Sequence, residues 1–116
     1  MNATPQEQKL AVMEHLVTII TDPSQPQPER FMAKRALCRI GDDRAVPLLE
    51  KALEESNDVV ILADIIEILS ELPTSEAVIV ALIRMVWHDS AMMRREAMKA
   101  LGKKGDDRVA RLLDQV

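Results

Sequence analysis

Apolar residues recur along the chain at helical spacing. Phe31, Ala33, Ala36, Leu37 and Ile40 form one stripe, and Ala45, Val46, Leu48, Leu49, Ala52 and Leu53 form another. Residues three and four apart share a helix face, so each set predicts an amphipathic helix. Leu10, Met13, Leu16, Val17 and Ile20 repeat the pattern near the start. They follow Thr4-Pro5-Gln6-Glu7, which joins a capping box to a proline in the first turn. The prolines between Asp22 and Pro28 predict a loop. The whole pattern predicts helices near 5–21, 29–40, 43–55, 58–72, 75–87, 90–104 and 107–115.

The pattern also repeats. Moved by 64 positions, Arg30 to Ala52 falls on Arg94 to Val116, with Ala36-Leu37 and Gly41-Asp42-Asp43-Arg44 meeting identical residues. At half that offset a degenerate middle copy emerges, in which Ile68-Leu69 replaces Ala36-Leu37 and Pro73-Thr74 replaces Gly41-Asp42. Each unit reads as two helices around a tight corner. Gly41 can adopt the left-handed conformation that ends a helix, and Asp42 can cap the next one. Pro73 and Thr74 serve as stop and start in the middle unit. Gly-Asp-Asp-Arg is therefore expected to be a corner rather than an acidic metal site.

Arg30-x-x-Ala33-x-x-Ala36-Leu37-x-x-Ile40-Gly41-Asp42-Asp43-Arg44-Ala45-Val46-Pro47-Leu48-Leu49 resembles the HEAT-like repeats of the phycobilisome-lyase type. So does Arg94-x-x-Ala97-x-x-Ala100-Leu101 followed by Gly105-Asp106-Asp107-Arg108. The middle unit departs at its corner and at its first-helix arginine, where Leu62 stands. The resemblance implies an all-α fold, a short right-handed α-α superhelix of three helix pairs behind an N-terminal capping helix. One domain, 1–116, would divide into the cap and proline loop (4–28) and repeats at 29–57, 58–88 and 89–116. Such repeats serve in scaffolds, lyase subunits and DNA-repair proteins alike.

Composition agrees with one helical domain. The chain has 116 residues, seven Met, three Gly and no Tyr, and a net charge of −4. That length suits a single core, and the apolar content argues against disorder. Cys38 is the sole cysteine, so no disulfide forms within the chain, and a reducing compartment fits. The first residues lack a secretory signal, and the longest apolar run, Ala77 to Met85, is interrupted by Arg84. A cytoplasmic protein is expected.

Catalytic constellations are not evident. His15 and His88 sit in different units without metal-ligand spacing, and the glycines Gly41, Gly102 and Gly105 lie near helix ends rather than in a phosphate loop. Cys38 reads as a half-buried structural thiol, since no charged pair is there to activate it. The expectation is a non-enzyme with no catalytic residue, metal or cofactor.

Charge alternates along the chain. Arg30 to Arg44 holds five basic and two acidic residues, Glu50 to Glu76 eight acidic and one basic, and Arg94 to Arg111 seven basic and three acidic. Two accounts fit: opposite charges pairing across the seams between units, or a bipolar surface that steers a partner. Basic residues on first helices (Arg94, Arg95 and Lys99 among them) suit phosphate contact. By the family resemblance, however, those helices lie on the convex side. Stacking aromatics are limited to Phe31 and Trp87 and the pI is about 5.2, so a nucleic-acid binder is the least favoured class.

The middle unit carries extra apolar residues. Ile79, Leu82, Ile83, Val86 and Trp87 occupy positions whose first-unit counterparts are Pro47, Glu50, Lys51, Glu54 and Glu55. If the helix pairs as in the first unit, this stripe lies on the concave face and binds a partner, with Arg94, Arg95 and Lys99 as a charged flank. The other arrangement is a central unit covered on both sides. Replacing Ile83 by Glu separates the two. The reading is thus a protein–protein adapter, with another protein or a second copy of the chain as partner. The alternative implied by the resemblance is a lyase-like or chaperone-like accessory in phycobiliprotein chromophore handling.

Overall fold

The computed structural model describes residues 2–105, which form six helices: α1 (Pro5–Ile20), α2 (Gln27–Ile40), α3 (Ala45–Glu55), α4 (Val59–Glu71), α5 (Glu76–Met85) and α6 (Ala91–Lys104). The helix expected at 107–115 lies outside the described residues, as do Arg108 and Arg111.

Local chemistry sets each boundary. Thr4 Oγ1 accepts the Glu7 N–H at 3.1 Å and donates to Glu7 Oε1 at 3.0 Å, with Pro5 in the first turn. α2 opens at Gln27, two residues earlier than expected, because Pro28 fits the first turn, where no N–H is needed. Gly41 ends α2 at φ 62°, and Gly105 ends α6 in the same left-handed region at φ 42°. The corner at Asp42 differs from the sequence reading. Its carboxylate accepts the Arg44 N–H at 2.9 Å and the Arg44 guanidinium, while Ala45 and Val46 donate to the carbonyls of Asp42 and Asp43. Two residues therefore form a turn before α3, which begins at Ala45 rather than Asp43.

In the middle unit the stop is Leu72, held extended because it precedes Pro73. The start is Ser75 rather than Thr74, since Ser75 Oγ accepts the Val78 N–H at 3.2 Å. α5 ends at Met85, short of the expected 87, in turns where Trp87 and His88 donate to the carbonyls of Arg84 and Met85.

α2, α4 and α6 lie side by side in one layer and α1, α3 and α5 in the other, giving a short α-solenoid 46 × 31 × 20 Å across. The core runs between the layers through Met13, Leu37, Leu49, Ile65, Leu69, Ile79, Leu82 and Met93, all fully buried. Burial of each such side chain contributes about 1.5–3 kcal/mol relative to exposure.

Charge crosses the seams. Lys34 on α2 reaches Asp64 at 3.2 Å and Glu67 at 2.9 Å on α4, and Glu71 on α4 meets Lys103 on α6 at 2.5 Å. In the second layer Arg84 on α5 meets Glu50 on α3 at 2.6 Å. These partners lie 30 to 34 residues apart, one repeat length. Much of the basic–acidic–basic alternation therefore joins neighbouring units.

Candidate partner-binding site

The apolar stripe of the middle unit divides at the end of α5. Ile79 and Leu82 are fully buried and Ile83 is 3% exposed, enclosed by α3, α4 and α6. This corrects the expectation of a stripe open to a partner: the central unit is covered on both sides. Val86 is half-buried, whereas Trp87 is 64% exposed. Trp87 lies past the last helical residue, so the turn rather than the helical period sets its direction.

The charged flank divides as well. Arg94 is half-buried and donates to the carbonyls of His88 at 2.8 Å and Asp89 at 2.9 Å. Its guanidinium closes the loop ahead of α6 and is not a free surface charge. Arg95 is exposed, and exposed Lys99 lines a groove of roughly 540 Å³ between α4 and α6 with Glu67, Glu71, Glu96 and Lys103. That groove is dominated by charge already shared across the seam.

One concavity lies where the stripe did not indicate it. A cleft of roughly 660 Å³ opens at the edge where the α3–α4 loop meets the α5–α6 loop. Leu62, Met85, Met92 and Met93 supply its apolar lining, and Glu54, Ser56, Asn57, His88 and Asp89 its polar lining. Trp87 stands in the turn between cleft-lining Met85 and His88, and Val59, 55% exposed at the start of α4, also lines the cleft. The cue in the sequence was Leu62 in place of the repeat arginine.

Other side chains suggestive of chemistry are structural. Cys38 is half-buried, and burial, then the carboxylates of Glu71 and Glu67, push its thiol pKa up, away from a nucleophilic thiolate. Lys34 is partly buried, which opposes its charge, yet its bonds to Glu67 and Asp64 raise its pKa. Exposed Phe31 has Lys34 Nζ 5.7 Å and the Arg35 guanidinium 5.8 Å from its ring centre. His88 Nδ1 accepts the Ser90 N–H at 3.0 Å, fixing the loop before α6. Among the described residues no His, Cys, Asp and Glu group has metal-binding geometry, and no helix is long and apolar enough to cross a membrane.

Comparison with curated proteins gives no match to the chain. The HEAT repeats family model matches residues 13–102, from the middle of α1 to the last turn of α6. Paired helices in two layers, seams at one repeat length and this match together place the chain in the HEAT repeat family.

Proposed function

We propose that the chain is a non-catalytic protein–protein adapter that receives its partner at the edge of the middle unit, around Trp87. HEAT repeats commonly act as protein-interaction scaffolds. The observation that supports this edge is the exposed Trp87, in the turn between cleft-lining Met85 and His88, in a chain whose other aromatic is flanked by cations. Tryptophan is enriched among the anchors of interfaces because it offers a large rigid surface at small entropic cost. A reducing compartment such as the cytoplasm suits the free thiol of Cys38.

Affinity capture from native lysate tests the proposal, with wild type and Trp87→Ala as baits of matched melting temperature. A stoichiometric partner held by wild type and lost by the variant is the expected result. A partner held equally by both overturns the placement. If the captured protein is the chain itself, the edge is a homodimer contact.

A further inference from the structure

The first-helix arginines of the outer units both reach back along the chain, but to different places: Arg30 to the end of α1, while pairing with Asp64 across the seam at 3.7 Å, and Arg94 to the loop just before α6. Arg30 Nε donates to the Ile20 carbonyl at 3.3 Å, and Arg94 Nη1 donates to the carbonyls of His88 and Asp89. Each guanidinium reaches back to the main chain that precedes its own helix and ties it down. One repeat earlier than Arg94, the chain has Leu62; where His88 and Asp89 stand, it has Ser56 and Asn57. Among the described residues, no hydrogen bond to the carbonyl of Ser56 or Asn57 is found.

Leu62, Ser56 and Asn57 all line the edge cleft, and no lysine or arginine does. Glu54 from α3 and Asp89 from the α5–α6 loop make the lining acidic, and no ion pair engages either carboxylate among the described residues. The cleft is thus lined by two residues whose carbonyls have no bond within the described chain, by two carboxylate residues, and by leucine and methionine.

We propose that the cleft receives an arginine side chain from a partner protein. Its guanidinium donates to the carbonyls of Ser56 and Asn57 and pairs with Glu54, while its methylenes lie along Leu53, Val59 and Met92, the apolar lining residues that reach the surface. The proposal rests on the adapter reading and names the chemistry of the partner. Arginine fits better than lysine because its planar fork carries five N–H donors and can span two carbonyls and a carboxylate together. Methionine adapts its shape to a flexible aliphatic stem.

Leu62→Arg supplies an arginine within the chain but gives up a buried leucine, 6% exposed, and is expected to melt below wild type. Calorimetric titration of the intact chain then uses short leucine-rich peptides with one central arginine, and the same peptides with citrulline or lysine. Citrulline is expected to weaken binding at least roughly tenfold and lysine by less. Both Leu62→Arg and Glu54→Gln are expected to lose the arginine peptide. Glu54 is exposed, so Glu54→Gln remains informative even if Leu62→Arg does not fold. Absent binding, equal binding of the citrulline peptide, or undiminished binding to Glu54→Gln overturns the proposal. A lysate partner lost with Trp87→Ala but kept by Glu54→Gln overturns the arginine slot and leaves the adapter standing. A partner kept by Trp87→Ala removes the adapter surface itself.

Discussion

Ile83 and Trp87 lie four residues apart, yet one is core and the other surface. Ile83→Glu would bury an unpaired charge and is expected to cost several kcal/mol, read as a large fall in melting temperature. Trp87→Ala removes exposed surface and should change stability by no more than about 0.5 kcal/mol. Equal melting temperatures for the two variants would contradict the burial described. Periodicity shows which residues share a face, but not whether a second neighbour covers that face. That is why the stripe was legible as a stripe and not as core. Asp42 gives a prediction in pH. Hydrogen bonds from the Arg44 side chain and N–H hold its pKa well below the ordinary 3.8. A carboxyl depressed on folding stabilises the fold above its unfolded value and loses that contribution as pH falls through the folded value. Melting temperature should therefore decline below pH 3.8, less steeply in Asp42→Asn. Glu71 beside Lys103 and Asp22 beside Ser24 are also lowered and add to the remaining slope. Identical slopes for the two proteins would discount the Asp42 bond.

Helix identity was legible where capping residues and period agreed, and boundaries slipped where two candidate caps adjoined. Thr74 and Ser75 are both competent caps, and only the fold shows that Ser75 Oγ bonds Val78. Asp42 has the right chemistry for a cap, but its carboxylate turns to Arg44, and α3 starts after the turn. Two glycines give opposite expectations. Gly41 ends α2 at φ 62°, and an added Cβ would sit 3.4 Å from Pro73 Cγ. Gly41→Ala should cost about 1 kcal/mol or more, because alanine is strained in the left-handed region. Gly102 lies inside α6 with nothing within 4 Å of an added Cβ. Gly102→Ala should stabilise by about 0.5–1 kcal/mol through the entropy of the unfolded chain. Chemical denaturation of the two variants checks both signs.

In the whole molecule, apolar burial between the layers and charge pairing across the seams hold neighbouring units together. A double-mutant cycle on Lys34→Ala and Asp64→Ala should give a coupling of roughly 0.5–1 kcal/mol, since both side chains are partly shielded from water. A coupling near zero would remove that pair from the account of stability. The alternation of charge was visible in the sequence, but only the seam distances decide between pairing and a free bipolar face. The edge cleft was legible in part, because Leu62 interrupts a recurring arginine, while its depth depends on how two loops meet. The fold leaves Met32, Phe31, Met98 and Trp87 exposed, and of these the proposed partner surface is the edge around Trp87. Amide hydrogen exchange on the captured complex tests this most directly. Added protection confined to residues 53–62 and 85–93, the walls of the cleft and the turn of Trp87, is the predicted result. Protection centred on α2 around Phe31 and Met32, with these two segments unchanged, would contradict it.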